Sequence, residues 1–110
     1  MELNEYQNRA LETAFHKEQY KIIYPALGLG NEAGEVMGKI KKWLRGDDGE
    51  GEMSADRKEA LRGELGDVLW YLVVLAKDLN LTLEDIAKYN IEKLQSRKER
   101  GMLQGDGDTR

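Results

Sequence analysis

The stretch ELGDVLWYLVVLA, residues 64–76, opens on two acids three positions apart and continues as an unbroken apolar run. Set at 100 degrees per residue, Val68, Leu69, Trp70, Leu72, Val73, Val74 and Leu75 cover nearly the whole circumference of a helix, so no single face is left for water. A helix that is apolar all round is a central one. The run from Val68 to Ala76 is about half as long as a membrane-spanning helix requires, so protein rather than lipid is expected to cover it.

Outward from this run, three more segments follow helical spacing, and none shows the strict alternation of a half-buried strand. In the first, expected over about residues 3–19, Leu3, Tyr6, Ala10, Ala14 and Phe15 share one side, and Pro25 then stops or restarts the chain. The second is expected from about Ala26 to Leu44 with the stripe Leu29, Ala33, Val36, Ile40, Trp43 and Leu44. The third, which holds the central run, starts near Ser54 as its N-cap and ends near Leu79. The fourth begins at Thr82, carries Glu84 and Asp85 where carboxylates suit the helix dipole, and stops near Gly101. The predicted fold is all-α: four main helices in an antiparallel bundle.

The chain of 110 residues has the size of one domain, read as residues 1–101, with a mobile acidic, glycine-rich loop at 46–53 and a polar tail at 102–110. A chain this short buries only about two-thirds of the surface it would expose unfolded. With three other helices to cover the central one, homo-oligomerisation is expected to complete the bundle, as a homodimer or homotetramer. There is no cysteine, which excludes disulfides and thiolate metal sites and fits a reducing cytoplasm. The net charge of −4 argues against a nucleic-acid partner, and the N-terminus MELNEYQN lacks the basic and apolar regions of a signal peptide. No membrane association is expected.

Four acids then form a pattern. Glu64 and Asp67 stand three apart where the third helix passes from solvent into the core; Glu32 and Glu35, in GNEAGEVMGKIKKW (residues 30–43), have the same spacing beside the second stripe. Gathering four carboxylates is costly unless protons or cations compensate. Oxygen donors without His or Cys select Mg²⁺ or Mn²⁺, and Mg²⁺ commonly shares its sphere with substrate phosphates. The plainer alternative is surface decoration, with Glu35 pairing to Lys39. Gly30, Gly34 and Gly38 along one side of the second helix, and Gly63 and Gly66 around Glu64, are expected to let two backbones approach closely. Each costs about 1 kcal/mol relative to alanine. On the fourth helix, Asn90, Lys93 and Arg97 extend the inward line of Ile86 as a row of donors suited to phosphate oxygens, or else snorkel at a frayed basic end.

The order GNEAGEV, ELGDVLWYL, NIEKLQSRKERG resembles the MazG-like all-α nucleoside triphosphate pyrophosphohydrolases, whose hallmark is EExxE followed at a distance by ExxD. The resemblance spans about residues 5–110. It implies an oligomeric, metal-dependent hydrolase in which Glu32, Glu35, Glu64 and Asp67 are catalytic and hold Mg²⁺, with Mn²⁺ as a substitute. Asn31 replaces the first acid of the pattern, and the separation of Glu35 from Glu64 is long for the family. Lys39, Asn90, Lys93 and Arg97 are implied as ligands of the substrate's phosphates. The implied reaction cleaves an NTP or dNTP at the α-phosphorus to the monophosphate and pyrophosphate, in nucleotide-pool sanitation. Trp70 and Tyr71, and also Trp43, are candidates to stack on the base, core packing being the competing role of Trp70. His16 reads as incidental. The rival functions are cleavage of phosphoribosyl-ATP and a non-catalytic helical dimerisation module; a di-iron bundle would want Glu-x-x-His pairs, which are absent.

Overall fold

The computed structural model describes residues 1–110 and contains helices and no strands. The helices are α1 (Leu3–Leu11), α2 (Ile23–Leu44), α3 (Ala55–Asp78) and α4 (Leu83–Glu99), with a single 3₁₀ turn at Glu18–Tyr20 before α2. No helix is long and apolar enough to cross a membrane.

Two of the expected caps form. The Ser54 hydroxyl accepts from the Arg57 N–H at 3.1 Å, and Thr82 accepts from Asp85 N–H at 3.1 Å. Each satisfies one donor that a helix start leaves unpaired. Asp48 ties the acidic loop to the same cap: its carboxylate takes the Ser54 hydroxyl at 3.2 Å and the Arg57 guanidinium at 2.8 Å. Pro25 restarts the chain, lying in the first turn of α2, where its missing N–H leaves no helical bond unmade.

The first helix is shorter than its periodicity predicts. It stops at Leu11, where the bonds tighten to i→i+3 (Glu12, Thr13 and Ala14 N–H to the Arg9, Ala10 and Leu11 carbonyls), and the Ala10 carbonyl also accepts from Trp70 Nε1 of α3 at 3.1 Å and from the Thr13 hydroxyl at 2.9 Å. Ala14 and Phe15 therefore leave the helical stripe, and Phe15 is 87% exposed.

α2 and α3 run antiparallel and pack along their length; α1 lies against both α3 and α4. Gln7 of α1 is the buried joint at that corner. Its amide nitrogen donates to Val73 O and Leu81 O at 3.3 and 3.2 Å, while its oxygen accepts from Leu83 N–H at 2.8 Å. Three segments are thereby fixed by one side chain.

The core of a single chain is thin. Val73, Val74, Ala76 and Leu83 are buried, whereas Leu27 and Leu44 of α2 are 71% and 75% exposed and Leu65 and Leu69 of α3 are also open. The accessible surface is 8228 Å², about 2,000 Å² above the roughly 6,200 Å² of a folded monomer of this mass. The radius of gyration is 17.1 Å against about 13 Å for a compact chain of this length.

The glycines correct the sequence reading. A Cβ added at Gly30, Gly34, Gly38, Gly63 or Gly66 would meet nothing within 4 Å, so none of these mediates the α2–α3 approach within the chain. Gly28 does: its Cβ would lie 2.1 Å from Tyr71 Cε1. The close crossing is made by an aromatic edge on bare backbone, one turn before the acids.

Candidate active site

The antiparallel α2–α3 pair sets Glu32 opposite Glu64 and Asp67. One carboxylate oxygen from each of these three lies within 4.8 Å of the others, as a group able to hold a metal ion. Two come from neighbouring turns of α3 and the third from across the helix pair, so the interhelical packing that follows from Gly28 and Tyr71 is what assembles them. Glu32 and Glu64 are half-buried and Asp67 is exposed. Glu35 stands one turn beyond Glu32, on the exposed side and outside the close trio.

The electrostatics record the strain of this gathering. The Glu32 carboxyl is raised above the ordinary carboxylate range, first by burial, then by the charges of Asp67, Glu64 and Glu35, with a hydrogen bond to Glu64 adding to the effect. Lys39 gives partial relief, its Nζ lying 3.8 Å from Glu64 Oε1. The phenols nearby respond too. Burial and then Asp67 push Tyr6 up, and burial, Tyr24, Glu32 and Asp67 push Tyr71 up. An all-oxygen set of this charge suits a hard divalent cation such as Mg²⁺, so the residues present fit the metal that the sequence pattern implies.

The basic row on α4 is a separate group. Lys93 Nζ lies 2.7 Å from Asp108 Oδ1, and Arg97 Nη2 donates to Asp108 Oδ1 at 3.1 Å and to the Asp108 backbone carbonyl. Asn90 is exposed and makes no side-chain hydrogen bond. No ion pair or hydrogen bond joins Asn90, Lys93 or Arg97 to Glu32, Glu35, Glu64 or Asp67. Of the residues expected at the phosphates, Lys39 alone reaches the acidic trio.

Trp70 has its indole N–H committed to Ala10 O and, at 3.0 Å, to the Thr13 hydroxyl, and its ring meets Tyr71 edge-on at 4.9 Å. Its role is to join α3 to the end of α1. A hollow of ≈ 650 Å³ is lined by Ala14, Phe15, His16, Lys17, Tyr20 and Tyr24, on the side of α2 that precedes the acids in sequence. Tyr24 stacks on His16 with ring centroids 5.6 Å apart, and its other neighbour is Tyr71 at 6.4 Å. His16 Nε2 is 2.8 Å from Asp78 Oδ2, which also accepts the Ile22 N–H at 2.8 Å and holds that residue at φ 70°. Sequence periodicity missed this hollow because it treated Ala14 to Lys17 as helix. The one available signal was the aromatic density of AFHKEQYKIIY before Pro25.

The family profile described as "MazG nucleotide pyrophosphohydrolase domain" matches residues 25–102, which include all four acids and the basic row. The Gene 37 protein of Mycobacterium phage L5 is 45% identical over 89 residues, covering 81% of this chain and 76% of that protein. The uncharacterized protein YvdC of Bacillus subtilis (strain 168) is 35% identical over 74 residues, covering 64% of this chain and 70% of that protein. No solved structure matches the chain. By the extent of the profile match and the acids it encloses, the chain belongs to the MazG nucleotide pyrophosphohydrolase family.

Proposed function

We propose that the protein is a Mg²⁺-dependent pyrophosphohydrolase that cleaves an NTP or dNTP to the monophosphate and pyrophosphate, clearing unwanted nucleotides from the cytoplasmic pool. The observation that carries this reading is the convergence of Glu32, Glu64 and Asp67 oxygens within 4.8 Å, in a chain of this family. Those three carboxylates would hold the cation, with Mn²⁺ as a substitute. A bound divalent ion there supplies neutralisation of the substrate's phosphates and a water of lowered pKa.

The chain's own residues do the rest. Glu35, outside the close trio, is free to take a proton from the attacking water. A new oxygen bond forms at the α-phosphorus, the bond from that phosphorus to the bridging oxygen breaks, and pyrophosphate leaves with the bridging oxygen and its electrons. Lys39 balances charge beside Glu64, and Lys93 and Arg97 are the cations available to the departing pyrophosphate. For the base, Tyr71 is the candidate ring, since Glu32 and Asp67 act on its phenol and Tyr24 of the aromatic hollow is its neighbour at 6.4 Å.

The excess surface and the open leucines of α2 and α3 support a homodimer or homotetramer as the working form. A panel of NTPs and dNTPs incubated with and without Mg²⁺, with products resolved, tests the activity. Monophosphate and pyrophosphate formed only with the metal support it, and release of orthophosphate means that a different bond is cut.

A further inference from the structure

The last six residues, GDGDTR, make a folded loop against α4. Gly105 and Gly107 take φ of 135° and 84°, and Arg110 closes the loop by donating to the carbonyls of Met102, Leu103 and Gly107 at 3.2, 2.8 and 2.6 Å. Arg100 in turn donates to the Arg110 carbonyl at 2.7 Å. The residue this loop presents to α4 is Asp108. Its one carboxylate oxygen bridges Lys93 and Arg97, whose side chains are otherwise aimed at no acid of the fold.

Two features mark the contact as a ligand site held by a stand-in. Arg97 is only 5% exposed, and its Nε is buried with no hydrogen-bond partner, so half of its planar donor fork is unused. A single carboxylate oxygen reaches Nη2 and Lys93 and leaves Nε empty. A phosphate, with more oxygens and more charge, has the shape to engage both edges of the fork. Asp108 itself has a side chain that is 75% exposed, whereas the Arg97 side chain it pairs with is 6% exposed. An anion arriving from solution meets Asp108 before it meets Arg97.

We propose that Asp108 is a built-in anion that occupies the Lys93–Arg97 phosphate site in the absence of substrate, and that a phosphate group displaces it and releases the C-terminal loop. This rests on the reading of Lys93 and Arg97 as phosphate donors. The Lys93 and then the Arg97 hydrogen bond hold the Asp108 carboxyl below its usual range, as expected of a carboxylate seated against two cations.

The test is calorimetric titration of the full chain with inorganic pyrophosphate in the absence of metal, alongside the heteronuclear NOE of backbone amides 105–109. Asp108→Asn keeps an acceptor but removes the competing charge, so it should tighten pyrophosphate binding by about threefold to tenfold, the modest effect of an exposed ion pair. The neighbouring Asp106→Asn, whose side chain bonds to nothing, serves as the control and should leave binding unchanged. In wild type, saturating pyrophosphate should lower the NOE of residues 105–109 toward that of free chain. Equal or weaker binding by Asp108→Asn, or a loop that stays ordered with pyrophosphate bound, overturns the displacement while leaving the donors' role intact. Failure of both wild type and Asp108→Asn to bind pyrophosphate overturns the phosphate-donor reading and the proposal with it.

Discussion

Glu32 carries the clearest signature of the site. Its carboxyl is raised, so the metal-free fold binds a proton there more readily than the unfolded chain does. By linkage, its contribution to stability is present in full below the unfolded carboxylate range and is lost as pH rises through the folded pKa. Metal-free protein should therefore lose this stability as pH rises above the ordinary carboxylate range, and Glu32→Gln should flatten that part of the profile while reducing turnover by at least about a hundredfold. Thermal melts across the pH series, with an activity assay, check both; a Glu32→Gln enzyme that turns over normally contradicts the assignment. Gly28 is the second decisive residue. An alanine there would drive its methyl into Tyr71, so Gly28→Ala should cost about 1–3 kcal/mol in denaturant unfolding. Glu32, Glu64 and Asp67 were legible in the sequence because identical spacing recurs beside two apolar stripes, whereas Glu35, expected with them on the same spacing, stands outside the trio. The critical glycine was not, because which glycine meets a neighbour depends on the crossing point of two helices, which a spacing pattern does not contain.

At the scale of helices, α2, α3 and α4 were readable from apolar period and capping residues, and Ser54 and Thr82 cap as their chemistry dictates. α1 was overextended: its end tightens to i→i+3 bonds, and its Ala10 carbonyl also accepts from Trp70, 60 residues away in sequence. Local pattern cannot register such a partner. The hollow at Ala14–Lys17 was lost with it. Gln7 illustrates the same limit: it is polar and lies outside the apolar stripe of the first segment, yet it is buried and binds Val73, Leu81 and Leu83. Gln7→Ala would leave the Leu83 N–H and two carbonyls without that partner, so a loss of about 1–3 kcal/mol is predicted. Urea unfolding measures it, and a change below about 0.5 kcal/mol would show that the corner is held by packing alone.

At the scale of the molecule, the apolar circumference of α3 and the open surface, in a chain of 110 residues with only a few fully buried side chains, are the grounds on which an oligomer is proposed. Sedimentation at micromolar concentration should return a dimer or tetramer, with an unfolding temperature that rises with protein concentration. A compact, concentration-independent monomer would remove the oligomer from the account. The central claim is that Glu32, Glu64 and Asp67 act as one cation site between two helices, and a titration of unfolding temperature against Mg²⁺ addresses it most directly. In wild type the temperature should rise with Mg²⁺, by about ten degrees at a hundredfold excess over the dissociation constant, where linkage adds about 2.7 kcal/mol. The rise should vanish in Glu64→Gln, whereas an equal rise in both proteins, or none in wild type, would contradict the claim.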